Sequence, residues 1–457
     1  MASITTQLSD NSAFIASIES PIAAELTASE FSDCDDAFRS HEYGGALGTL
    51  PWWPWSTLLW IGAACSLVGM AMCLPVGWDL AVVRQAMRDL REGLDPYATE
   101  LARLTALRSG AHAYNVYVYP PLTLWFLRFA NLIPTVPGYV LCWLAYAAGF
   151  GCQLWAGFQL ALPSERRILQ YVLPLVVFFP AFMPNEVILS GNVAIPIYGA
   201  ILAASVRGWR KNQWGWFYFA ILAGSLFKPP FLVLLAIPLL AGTAQALRST
   251  ATAGFGLLLF AGQKLIWPKE FLEFLRVMQV ESIMRYSAGH VDSFGFSAAG
   301  VIASRLQAIG KPYGVTSTLF FLVYGSVLFA TLLYFGWQYR QERIGSYTWM
   351  PVVFLGAFLL SPRILQYDAL PATVPMFLLA IRGWKDAVGR WIVIAGLAGA
   401  AVAFLANQDG LEISLAMWAL LISGLWGLSR QSQLAEVPAF VQLKEPTLEP
   451  ELENVAL

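Results

Sequence analysis

Twelve apolar stretches divide this chain, near residues 54–76, 137–160, 168–183, 193–206, 212–227, 229–246, 250–266, 317–338, 348–361, 365–381, 391–406 and 411–428. In a bilayer such runs are stable only as helices that pair their own backbone groups. The 457 residues are 57% hydrophobic and only 12% charged, too few charges to clothe a soluble particle of this size. A soluble enzyme is therefore excluded, and the expectation is an all-α polytopic membrane protein of about twelve transmembrane helices. Several stretches are shorter than the ~20 residues of a straight span, so their ends must borrow flanking residues or lie half-buried in protein. Basic and acidic residues nearly balance, 28 against 29, and no basic run points to nucleic acid. Cys34, Cys65, Cys73, Cys142 and Cys152 are odd in number and lack CxxC spacing, so they read as packing residues.

Composition also sets the domain boundaries. Residues 1–53 form an acidic tail, with eight acids and only Arg39 among the first fifty, and read as disordered. A secretory signal needs a basic start followed at once by an apolar run; here the first apolar run begins near 54, so it is expected to stay as an anchor. Pro51-Trp52-Trp53-Pro54-Trp55 fits an aromatic belt at the membrane interface. Residues 54–428 make up the transmembrane domain, and 429–457 a second disordered tail.

Loop charge orients the chain. If 116–134, interrupted by Pro120, Pro121 and Arg128, does not cross, one side collects Arg166, Arg167, Arg207, Arg210, Lys211, Arg248, Arg340, Arg343, Arg382, Lys385, Arg390 and Arg430. The short loops of the other side hold only Lys228 and Arg363. This positive-inside bias predicts both termini in the cytoplasm and two long outer loops, 77–136 and 267–316. Leu80, Val83, Met87, Leu90 and Leu94 recur at spacings of 3, 4, 3 and 4, with Arg84, Arg88, Arg91 and Glu92 on the other face. That pattern predicts an amphipathic helix over 80–93 lying in the outer interface.

An ionisable side chain at the end of a span is costly to desolvate, and each is a candidate for chemistry until a partner explains it. Three stand out on the outer side: Asp79, Lys228 and Arg363, with Gln366, Tyr367 and Asp368 one turn after the last. A carboxylate and two cations can take a proton from a hydroxyl while a phosphate leaves. The competing reading is that Asp79 caps the helix that follows it, while both cations snorkel to headgroups. Asp368 lies inside a predicted span, in its first turn, and no Asp/His set has metal spacing, so neither a metal nor another cofactor is expected.

Three motifs, Gly77-Trp78-Asp79, Gly93-Leu94-Asp95-Pro96-Tyr97 and Tyr119-Pro120-Pro121-Leu122, resemble the opening of glycosyltransferase family 87, polyprenyl-phosphate-sugar-dependent enzymes of the GT-C fold. Further on, Gly191-Asn192 resembles that family's Gly-Gln and nearby Asn, Lys228-Pro229-Pro230 its Lys-x-x-Pro element, and Ser361-Pro362-Arg363 its Ser-Pro element. The motifs follow the family's order from about residue 54 to 381. The family's Ser-Pro element is commonly followed by His residues that contact the donor phosphate; here Gln366 and Tyr367 stand there.

The resemblance implies a GT-C-like bundle with amphipathic helices in two outer loops. It implies transfer of a hexose, mannose among the possibilities, from a polyprenyl-monophosphate donor to a lipid or glycan acceptor, with inversion, at the outer face of the cytoplasmic membrane. Asp79 would be the general base, and Lys228, Arg363, Arg285 and His290 the candidates for the donor phosphate. Asp95, Tyr97, Tyr119, Asn192 and Tyr367 are the remaining site candidates carried by the motifs. Two alternatives remain at this point: a transporter or flippase of lipid-linked sugars, which should show related halves and charge near mid-span, and a non-catalytic subunit of a polysaccharide assembly system.

Overall fold

The computed structural model of the chain describes residues 57–58, 61, 65, 68, 78–107, 117–166, 168–169, 191–242, 245–287, 295–310, 315–406 and 410–436. Both tails and most of the predicted spans 54–76 and 168–183 lie outside the described residues. From residue 78 onward the described residues form sixteen α-helices and two 3-10 segments. Among the described residues four helices are long and apolar enough to cross a membrane: α4 (Thr135–Gln159), α11 (Val315–Arg340), α15 (Ala387–Leu405) and α16 (Leu411–Glu436). Their outward surfaces carry bare apolar side chains, on α11 Leu319, Phe320, Leu322, Val323 and Val327. Water would not tolerate a continuous surface of that kind and lipid would. The chain is a helical, multi-pass membrane protein.

The shorter apolar helices pack inside this shell. At the centre is α12 (Ser346–Leu359), about 21 Å long, of whose 14 residues all but Ser346, Tyr347 and Thr348 are buried. A helix that is apolar on every side belongs in an interior. The predicted stretch 365–381 is not one helix. Pro371 lacks an amide hydrogen, and the chain runs through α13 (Gln366–Ala369) and a 3-10 turn (Leu370–Ala372) before α14 (Thr373–Lys385) begins. Prolines likewise break the stretch after Lys228 into a 3-10 segment, Pro229–Leu235, and a short α7 (Ala236–Leu240).

Two helices approach unusually closely. A methyl group at Gly149 of α4 would meet Pro196 Cα at 2.3 Å, and one at Gly199 of α5 (Ala194–Lys211) would meet the Gly149 carbonyl oxygen at 2.3 Å. With no side chains between them the backbones touch, the arrangement small residues permit in membrane bundles. Gln153 adds a hydrogen bond of 2.7 Å to the Ile195 carbonyl across the same seam.

The two long loops pack against each other. The first holds α1 (Trp78–Arg91), α2 (Pro96–Leu107) and α3 (Pro121–Ala130); the second holds α9 (Pro268–Ser287) and α10 (Ala298–Ala308). Val82, Ala86, Tyr97, Leu104, Tyr117, Tyr119, Leu124, Phe274 and Val277 share a core between the loops. At ten residues, about 15 Å, α3 is too short to span, and Trp125, Phe126 and Phe129 stay exposed on it. On α1 the cationic face is where the pattern put it, but the buried stripe is rotated. Its centre is Val82, Ala86 and Asp89, while Leu80, Val83, Met87 and Leu90 flank it half-buried and Leu94 is exposed. Asp89 can lie on that stripe because Gln85 Nε2 donates to its carboxylate at 2.7 Å.

One end of the bundle is tied by cations. Arg382 forms a two-pronged pair with Glu165 at 2.8 and 2.7 Å and also donates to the carbonyls of Tyr347 and Leu160. Arg210 reaches the Gln159 carbonyl, Arg340 the Leu239 carbonyl, and Arg430 pairs with Asp386. Glu165 is 1% exposed and Arg382 15%, so removing one partner strands a buried charge at a cost of about 3–5 kcal/mol. Arg382→Met should therefore lower the thermal midpoint of the detergent-solubilised protein sharply. Glu165→Gln, which keeps hydrogen-bonding atoms, should lower it less. An unchanged midpoint in Arg382→Met would show that the pair does not hold this end together.

Candidate functional site

The residues predicted to carry chemistry meet at the other end. Asn192 precedes α5, which begins beside it and ends 18 residues later at Arg210 and Lys211, so the two ends are about 27 Å apart along that helix. Four segments, distant in sequence, converge here: the start of α1, the loop before α5, the turn after α6 (Gly215–Phe227), and the loop between α12 and α14.

Each segment is fixed by local chemistry. Asp79 lies inside the first turn of α1, which begins at Trp78, rather than at its N-cap. Gly191 has φ +68°, a left-handed conformation that an L side chain adopts at a cost, and a methyl group on it would meet Leu80 Cβ at 2.7 Å. Glycine thus lets the Asn192 loop sit directly against the head of α1. Lys228 is extended, with φ −140° and ψ 97°, where α6 must end because Pro229 and Pro230 follow. Tyr218, near the start of α6, hydrogen-bonds Gln245 and Ser249, so the chain folds back on itself and Lys228 is at the apex of the hairpin.

The Arg363 loop is clamped from two sides. Ser361 Oγ donates to the Arg363 carbonyl at 2.7 Å, closing the turn. Gly295, at φ +57°, bridges Ile364, and a methyl group there would lie 2.1 Å from the Ile364 oxygen. Phe296 N donates to that oxygen at 2.7 Å, Ser297 Oγ donates to the Pro362 carbonyl at 2.8 Å, and Ser414 Oγ donates to the Phe296 carbonyl at 2.6 Å. The second long loop therefore holds the Ser-Pro-Arg segment in place.

At the centre, Asn192 Nδ2 donates to Asp79 Oδ2 at 2.8 Å, while Asn192 Oδ1 accepts from Lys228 Nζ at 3.3 Å and from the Ala194 amide at 2.8 Å. The charges of Arg363 and Asp368 act on both Asp79 and Lys228. Asp368 is itself pinned: Tyr198 OH donates to its Oδ1 at 2.9 Å and the Leu365 amide to its Oδ2 at 3.1 Å. Tyr119 lies within range of the Asp79 and Arg363 charges, and its carbonyl accepts from Tyr97 OH at 2.7 Å. Burial pushes the Asp79 carboxyl above the ordinary carboxylate range, against the opposing pull of the Asn192 hydrogen bond and the two cations.

No protein-family model matches the chain, and no curated protein is significantly similar to it. Among the sequence candidates, Asp79, Asn192, Lys228, Arg363 and Tyr119 come together. Tyr97 supports them from behind, fully buried, through the Tyr119 carbonyl. Tyr367 belongs to α13 next to Asp368 and Arg285 to the end of α9; their side chains, and all of His290, lie outside the described residues. Sequence reasoning missed Tyr198, an aromatic in an apolar helix with nothing to set it apart. Asp368 was noted without a role, although an acid three residues after the N-cap of a short helix is a capping signal.

Asp95 is elsewhere. Its carboxylate accepts the Tyr97 amide at 3.0 Å at the head of α2, lies 3.9 Å from Lys269, and shares a hydrogen bond with Glu273 of α9. Glu273 is pushed up to about 7 by the bond to Asp95, by burial and by the Asp95 charge. Above the ordinary glutamate value the folded chain keeps a proton that the unfolded chain releases, so stability falls as pH rises toward 7. Wild type should lose thermal stability between about pH 5 and about pH 8 relative to Glu273→Gln, which keeps the contact without titrating. Parallel pH profiles for the two would rule out a raised Glu273.

Proposed function

We propose that the protein is an integral-membrane glycosyltransferase of the GT-C type with about twelve spans, its termini in the cytoplasm and its site at the outer face of the cytoplasmic membrane. The observation that carries this reading is the meeting of Asp79, Asn192, Lys228 and Arg363 from four separate segments, at the end of the bundle remote from the cation-tied loops. The motifs that resemble family 87 supply those four residues. The cluster also lies at helix ends, whereas a transporter would place its charges near mid-span.

The donor would be a hexose on a polyprenyl monophosphate that enters from the bilayer. An acceptor hydroxyl on a lipid or glycan attacks the anomeric carbon from the face opposite the phosphate, and its proton passes to Asp79. The bond between the anomeric carbon and the phosphate oxygen breaks, and its electron pair leaves with the polyprenyl phosphate. The phosphate gains one negative charge in this step. Lys228 and Arg363 offset that charge where it develops, so they stabilise the transition state more than the bound donor.

Asp79→Asn keeps the shape and the bond to Asn192 but cannot take a proton. Turnover of a radiolabelled polyprenyl-phosphate hexose by membranes containing the protein should fall roughly 10²- to 10⁴-fold, with expression unchanged. Activity within a few-fold of wild type would remove Asp79 from the role of base.

A further inference from the structure

Between Asp79 and Lys228 lies a neutral carboxamide whose orientation is set by its surroundings. The Ala194 amide can only donate, so the atom it meets at 2.8 Å is the Asn192 oxygen. The amino group of Asn192 must then face Asp79 Oδ2, at 2.8 Å, and the oxygen also receives Lys228 Nζ at 3.3 Å. Carbonyl and amino ends of one carboxamide are thus each matched to an opposite charge. The ammonium draws electron density toward the carbonyl oxygen, which makes the amino hydrogens better donors to the carboxylate, the cooperative strengthening expected of hydrogen-bond chains in a low dielectric.

From this we infer that Asn192 is a positioning residue, a carboxamide relay that ties the Lys228 ammonium to the Asp79 carboxylate and orients that carboxylate for the acceptor. The inference rests on the reading of Asp79 as the base. Asn192 need not touch substrate; by holding Oδ2 it fixes the plane of the carboxylate. The groups that face Asp79 are Asn192 from the loop before α5, Lys228 from the α6 hairpin, Arg363 and Asp368 from the loop after α12, and Tyr119 ahead of α3. Within this set Asn192, Lys228 and Arg363 favour the ionised carboxylate, while burial and Asp368 oppose it.

The test uses the purified full-length protein and reads the protonated-carboxyl band in pH-difference infrared spectra, assigned to Asp79 by its loss in Asp79→Asn. Asn192→Ser keeps an oxygen that can cap the Ala194 amide but is too short to reach Asp79. Its titration midpoint should rise by roughly one unit, and in Asn192→Asp, which sets a second carboxylate against the first, by more. Lys228→Met should raise the midpoint in both backgrounds through the lost charge, and by more in wild type than in Asn192→Ser, because only in wild type does it also weaken the hydrogen-bond chain. An unchanged midpoint in Asn192→Ser would reduce Asn192 to a helix cap and overturn the proposal. A lowered midpoint would overturn it too, since it would mean that Lys228 closes directly onto Asp79. The acid limb of kcat/KM for transfer from a polyprenyl-phosphate hexose should move with the infrared midpoint. The expected midpoints without turnover in wild type would refute the transferase reading and leave the relay standing. Turnover with unmoved midpoints would do the reverse.

Discussion

Desolvated charge is the constraint on which this molecule turns. Bringing Asp79, Lys228, Arg363 and Asp368 out of water to the rim of a helical bundle is expensive, and the structure meets the cost with a neutral group in the middle and an alternating set of charges around it. Asn192 gives Asp79 and Lys228 each a hydrogen bond of the right polarity, and the Tyr198 hydroxyl and the Leu365 amide satisfy the two oxygens of Asp368. A bundle can retain four ionisable groups in such a place only if their surroundings fix them, and a function that uses charge is a reason to retain them.

The rest of the fold reads as a frame for that arrangement. Contact at Gly149 and Gly199 draws α4 against α5 and so sets where the Asn192 loop emerges. Gly191 seats the loop on the head of α1, and Gly295 docks the second long loop onto the Ser-Pro-Arg segment. At the far end, Glu165 and Arg382 link the segment that follows α4 to α14, the helix that the α13 turn leads into. The anchor at one end and the site at the other therefore share elements, and α14 has little freedom to shift without moving Asp368.

Much of this was legible in the sequence because lipid and charge impose strong patterns. Apolar runs located most of the described helices, but 229–246 and 365–381 each read as one stretch, and the breaks that Pro229, Pro230 and Pro371 impose on them, with their 3-10 geometry, went unread. The grouping of Asp79, Lys228 and Arg363 followed from loop side and motif order. What stayed hidden depends on contacts remote in sequence. Tyr198 is one apolar-helix aromatic among many until Asp368, 170 residues on, is placed against it. The buried stripe of α1 was misread by one position because Asp89 looks like a surface residue until Gln85 is seen to satisfy it. Asp95 was drawn to the site by its motif, whereas its carboxylate is occupied at the head of α2.

The central claim is that this charge cluster receives the phosphate of a lipid-linked sugar with Asp79 facing the reacting carbon. The most direct measurement is an electron-microscopic structure of the full-length protein in a lipid nanodisc with a polyprenyl-phosphonate hexose, in which a carbon bridge prevents transfer. The account predicts the phosphonate between Lys228 and Arg363, with the anomeric carbon turned toward Asp79. A headgroup bound away from these residues, or one whose anomeric carbon faces away from Asp79 while the phosphonate contacts other cations, would contradict it.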